Sequence, residues 1–77
     1  MENKNIIDVN ENDFETKVIE KSDNKLVIVD FWAPWCGPCK QLTPVMEKIA
    51  KENEDSFDLV KINIDENQQL AAQLRIQ

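Results

Sequence analysis

Histidine is missing from this 77-residue chain, glycine occurs once and cysteine only twice. Without histidine or a third cysteine, one chain cannot assemble the four-ligand site that zinc usually takes, so metal would need ligands shared across a dimer. Two neighbouring cysteines are also too few to staple a small fold, and the short loop between them removes little entropy from the unfolded chain. Positive charge is scarce: nine Lys and Arg face fifteen Asp and Glu, a net charge of −6, which argues against nucleic acid and anionic membranes as partners. No apolar run is long enough to cross a bilayer. The start, Met1-Glu2-Asn3-Lys4-Asn5, lacks the basic and apolar segments of a secretory signal, so the expected location is cytoplasmic. Repeats, low-complexity tracts and linkers are absent as well. What remains, 42% hydrophobic and 31% charged, suits one small folded domain, burying roughly 60–65% of its unfolded surface around a thin core.

The apolar pattern alternates between strand and helix. Ile6 to Val9 reads as a short strand, followed by a helix with Asn10 as N-cap, Asp13 in its first turn and Phe14, Val18 and Ile19 on its apolar side. Ser22-Asp23-Asn24 closes that helix as a turn. Lys25 to Trp32 is apolar on both faces, the pattern of a central parallel strand. A second helix runs from near Cys36 to about Asn53, with Cys39, Leu42, Met46, Ile49 and Ala50 on one side. Lys40, Glu47, Lys48 and Lys51 take its wet side, Glu47 standing four residues before Lys51 in the favourable order. Pro44 predicts a kink rather than a break. Phe57 to Ile64 is a third strand, with Val60, Ile62 and Ile64 on one face, and Asp65 or Asn67 caps a short last helix carrying Leu70, Ala71 and Leu74. The order strand–helix three times over predicts an α/β fold with a parallel sheet and right-handed crossovers. At least one outer strand lacks a neighbour, and such an edge invites self-association.

The chemistry concentrates in Phe31-Trp32-Ala33-Pro34-Trp35-Cys36-Gly37-Pro38-Cys39-Lys40, which holds both cysteines, both tryptophans, the only glycine and two of the three prolines. Cysteines three apart at a helix start lie on one face about 5–6 Å apart at Cβ, close enough to open and close a disulfide with little movement. The free N–H groups and positive dipole end there favour an anion, so Cys36 is the candidate thiolate nucleophile, with Lys40 adding positive charge. Cys39, on the apolar side, is expected to be shielded and to resolve the mixed disulfide that Cys36 forms with a substrate. Asp30, a charge misplaced in an apolar strand, is the candidate base for Cys39, since burial disfavours its charged form. Lys61, on the strand face opposite Val60 and Ile62, is the expected partner limiting that neutralisation. The competing readings are a satisfied buried carboxylate at Asp30, a solvated lysine at Lys61 and ordinary core at Trp32. Trp35, beside the thiol, reads as an exposed substrate platform.

With these residues in hand, the chain resembles the thioredoxin family. Asp30 to Lys40 looks like the family signature, and Val60-Lys61-Ile62-Asn63-Ile64-Asp65 resembles its third strand. The resemblance also implies a Cys36 thiol more acidic than a free cysteine. The resemblance implies a thioredoxin-like three-layer sandwich, here βαβαβα with a mainly parallel three-stranded sheet. It implies a redox-active Cys36–Cys39 disulfide without a further cofactor, Asp30 and Lys61 as its buried pair, and Gly37 and Pro38 as the dipeptide that tunes redox potential. Trp35 matches the tryptophan flanking the family's site, and Pro44 its kinking proline. The implied activity is reduction of protein disulfides, with disulfide-containing client proteins as substrates and a thioredoxin-reductase-like electron donor. The family fold continues with an antiparallel strand pair and a closing helix, opened by a cis-proline facing the cysteines. Residues 1–77 are therefore expected to form a partial domain, its N-terminal two-thirds. Gln41-Leu42-Thr43-Pro44 and the stretch from Ile64 to Gln77 also resemble the thioredoxin domain of bacterial co-chaperones that carry tetratricopeptide repeats. The alternative functions are a redox-linked client-binding module, in line with that likeness, or, as the partial domain suggests, a fragment with little activity alone.

Overall fold

The computed structural model describes residues 4–75. Its elements are β1 (Ile6–Asp8), a helical stretch from Glu11 to Asp23, β2 (Leu26–Trp32), α1 (Gly37–Glu52), β3 (Phe57–Asn63) and α2 (Gln68–Gln73). The strands form one parallel sheet in the order β1-β3-β2. β3 is thus central, and its interior residues are the most deeply covered: Leu59 and Val60 are fully buried and Ile62 nearly so. Burial of one such side chain contributes about 1.5–3 kcal/mol.

Alternation along β3 sorts the core into two layers. Val60 and Ile62 point to one face, where Val9, Val18 and Leu70 close over them and Phe14, Val29 and Phe31 pack alongside. Phe57 and Leu59 point to the other face, under Ala50 and Met46 of α1. Helices therefore cover both faces, as parallel strands require. The outer strands are β1 and β2, and β2 is seven residues long with its free side unpaired among the described residues.

Several local expectations are corrected. The first helix is not a regular α-helix: it runs as a 3₁₀ turn, a six-residue π-helical segment over Glu15–Glu20 and a second 3₁₀ turn. The wider π turn rotates successive side chains differently, so Val18 is buried while Ile19 is exposed. Asp13 accepts from the Asn10 N–H at 2.8 Å and closes the start of the segment. In α1, Ala50 and Met46 face the sheet, but Leu42 and Ile49 are exposed, as is Val45. β3 stops at Asn63, and Ile64 is joined to the sheet only by its N–H to the Trp32 carbonyl. α1 continues past Pro44 without a break.

Asn67 stands at the N-cap of α2, yet its side chain does not cap that helix. It accepts the Glu11 N–H at 2.7 Å and donates to the Asn63 carbonyl at 2.8 Å, tying the start of the first helical stretch to the loop after β3. Leu70 and Ala71 are buried, whereas Leu74 lies past the helix and is exposed. At the opposite end of the sheet, Asn5 donates to the carbonyls of Ala50 and Phe57, and the buried Asp58 pairs with Lys25 at 2.9 Å and Lys21 at 3.8 Å.

Candidate functional site

β2 delivers the chain to the site and α1 begins it. Cys36 has extended backbone (φ −86°, ψ 104°) and occupies the N-cap of α1, where its Sγ accepts the N–H of Cys39 at 3.2 Å. Cys36 N–H is itself fixed by the carbonyl of Ala33, a buried residue, at 3.0 Å. The sequence folds this way because Pro38 lies in the first turn, where a missing N–H costs nothing. Gly37 is not required by space: a Cβ there would meet nothing within 4 Å. The two cysteines form a disulfide across that turn, with Cα atoms 5.3 Å apart.

Cys39 is not the shielded partner that its apolar spacing predicts. Both sulfur-bearing residues are half-buried, and Cys39 lines an open cavity of about 290 Å³ together with Trp32, Pro34, Thr43, Pro44 and Lys61. Its Sγ lies 4.0 Å from the Phe31 carbonyl oxygen. The cause lies in how α1 sits on the sheet. The apolar contact is carried by Met46 and Ala50 at its C-terminal half, while the N-terminal half meets β2 through Thr43 and Asp30 and borders the cavity.

Asp30 is buried, as expected, and its Oδ2 accepts from the Thr43 hydroxyl at 3.0 Å. Lys61 is its cross-strand neighbour in register, with Asp8 on the far side of Lys61 in the same row. The lysine does not bond Asp30, however. Its Nζ pairs with Glu47 Oε2 at 2.8 Å. Glu47, assigned from spacing to the wet side of α1, instead turns inward to this cation. The hydrogen bond from Lys61 to Glu47 raises the lysine above its ordinary value of 10.5; partial burial opposes this, and the negative charges of Glu47, Asp8 and Asp30 add to it. Lys61 is therefore a fixed cation among three carboxylates.

Trp35 is 66% exposed, and Trp32 is half-buried with its Nε1 unpartnered among the described residues. The Trp35 indole is anchored: its Nε1 donates to Asp65 Oδ1 at 2.9 Å. Asp65 is held in turn by its own N–H, which donates to Asn63 Oδ1 at 2.9 Å. Sequence reasoning treated Asp65 only as a helix cap and gave Thr43 no role. The Asn63-x-Asp65 spacing is a turn signal for the first, while Thr43, four residues after Cys39, shares its helix face.

A parallel α/β sheet with a cysteine pair joined at the N-terminus of the following helix has the architecture of a thioredoxin-type domain. The Thioredoxin family model matches residues 5–77. A thioredoxin of Pyropia yezoensis is 51% identical over 63 residues, covering 82% of this chain and 57% of the relative. One from Haemophilus influenzae is 39% identical over 71 residues, covering 92% and 64%. The crystal structure of chloroplastic thioredoxin z, described as defining a type-specific target recognition, superposes with a TM-score of 0.85 at 36% identity, covering 94% of this chain and 62% of that one. The chain belongs to the thioredoxin family, and it spans less than two-thirds of the length of these relatives.

Proposed function

We propose that this chain is a thiol–disulfide oxidoreductase that reduces protein disulfides. The observation that carries the reading is Cys36 at the α1 N-cap with its Sγ accepting the Cys39 N–H at 3.2 Å. A donor already aimed at that sulfur, on the positive end of a helix, stabilises the thiolate that the chemistry needs. In the dithiol form, Cys36 thiolate attacks a substrate sulfur, and the other substrate sulfur leaves with the electron pair. Cys39 then gives its proton to Asp30, attacks Cys36 Sγ and expels the reduced substrate, regenerating the disulfide. The substrates are disulfide-containing proteins that dock against exposed Trp35, and a reductase of the thioredoxin-reductase type recharges the pair. The work belongs in a reducing compartment such as the cytoplasm.

Insulin reduction by dithiothreitol, with and without the protein, tests this. The wild-type chain accelerates precipitation of the insulin B chain and Cys36→Ser does not; full activity in the variant would reject Cys36 as the nucleophile. A client-holding role is the second reading, favoured by the exposed Leu42, Val45 and Ile49 on α1. Suppression of client aggregation that survives loss of both thiols would single it out.

A further inference from the structure

The N-terminal half of α1 carries a hydroxyl that the dithiol cycle above does not use. Thr43 follows Cys39 by one helical turn, and both line the same cavity. Side chains on a helix lean toward its N-terminus, so the Thr43 side chain leans over the turn that holds Cys39. Its Oγ1 donates to Oδ2 of buried Asp30 at 3.0 Å. Among the described residues no other hydrogen-bond donor reaches Asp30.

The charged groups around Asp30 make this single bond decisive. From β3, Lys61 faces it in register, but the ammonium is committed to Glu47 of α1 at 2.8 Å. From β1, Asp8 lies beyond Lys61 in the same row. From α1, Lys40 lines the cavity that Cys39 and Lys61 share. With its cross-strand cation held elsewhere, the Asp30 carboxylate keeps its orientation through the neutral hydroxyl. With Oδ2 engaged by Thr43, Oδ1 accepts no hydrogen bond among the described residues.

We propose that Thr43 is a positioning residue for disulfide exchange, its hydroxyl holding the Asp30 carboxyl in place as the acceptor for the Cys39 proton. The proposal rests on the oxidoreductase reading of the site. In the step concerned, Cys36 is joined to a substrate sulfur and Cys39 is a thiol. The Cys39 proton passes to Asp30, and the Cys39–Cys36 sulfur bond forms as the Cys36–substrate bond breaks. The electron pair departs on the substrate sulfur as a thiolate, so both cysteines end oxidised and the substrate reduced. Thr43 keeps its own proton throughout.

The test uses the reduced full chain mixed with 5,5′-dithiobis(2-nitrobenzoate) in a stopped flow. One thionitrobenzoate is released when Cys36 attacks the reagent, and a second when Cys39 resolves the mixed disulfide, so both steps are read in one trace without a protein substrate. Thr43→Val preserves shape and removes the hydroxyl. It is expected to leave the first phase unchanged and to slow the second about tenfold near pH 6, the size expected for a lost hydrogen bond to a charged group. Thr43→Ser restores the second phase, and in an Asp30→Asn background Thr43→Val has no further effect on it. A Thr43→Val second phase matching wild type at every pH would overturn the proposal. So would a serine variant as slow as the valine one, or equal slowing of both phases. If the wild-type chain itself gives no second release, the oxidoreductase reading fails, and the assignment of Thr43 falls with it.

Discussion

Replacing Lys61 by Met removes the cation from a row in which Asp8, Lys61 and Asp30 stand side by side across three strands, and it leaves Glu47 without the ammonium 2.8 Å away. The side chains of Lys61 and Glu47 are 19% and 31% exposed, so the pair is neither a surface ion pair of about 0–1 kcal/mol nor fully desolvated. Hydrogen bonds to charged groups contribute about 1.5–3 kcal/mol, and solvent screening puts this one near the lower limit. The expected cost is about 1–2 kcal/mol, a drop of roughly 5–15 °C in Tm for a domain of this size. Thermal unfolding of the oxidised protein, followed by circular dichroism from neutral pH into alkali, measures it. Because folding raises Lys61 above 10.5, its contribution is complete below that pH and is lost as pH climbs through the higher folded value. The gap between wild type and Lys61→Met therefore stays constant from pH 7 to about pH 10 and closes only above pH 10.5. Had partial burial governed the lysine instead, its folded value would be depressed and the stability of wild type relative to Lys61→Met would rise with pH below 10.5. That result, or equal stability at pH 7, would refute the pairing.

Two further outcomes follow from geometry. Asn67→Ala leaves the Glu11 N–H and the Asn63 carbonyl without their 2.7 and 2.8 Å partners at a partly buried junction, and urea unfolding should record a loss of about 1–2 kcal/mol; no measurable loss would mean water replaces both bonds. Gly37→Ala places a methyl in open space at the first position of α1 and should raise stability by about 0.5–1 kcal/mol by restricting the unfolded chain. Destabilisation in the same urea experiment would show that the site needs glycine there.

The joined cysteine pair was readable because everything it needs is contiguous. A strand ending at Trp32, a helix starting at Gly37 and thiols at positions 36 and 39 lie within one short run, and a helix start favours an anion whatever surrounds it. The burial of Asp30 was readable too, as a charge inside an apolar strand. Its hydrogen-bond partner was not. Thr43 lies thirteen residues away on another element; its spacing puts it on the helix face of Cys39 but does not say which carboxylate its hydroxyl meets. The same holds for Trp35 and Asp65, thirty residues apart, and for Glu11 and Asn67, separated by 56.

Residue order alone determined the alternation of strands and helices, the parallel sheet they imply and the dithiol at the head of α1, since each depends on periodicity or on neighbours along the chain. The packing of α1 on the sheet decided the rest. It turned Glu47 toward Lys61, left Thr43 to hold Asp30, and opened the cavity that keeps Cys39 only half-buried. Such pairings depend on register and helix placement, where a shift of one residue changes which charges meet, and that information exists only once distant segments have come together.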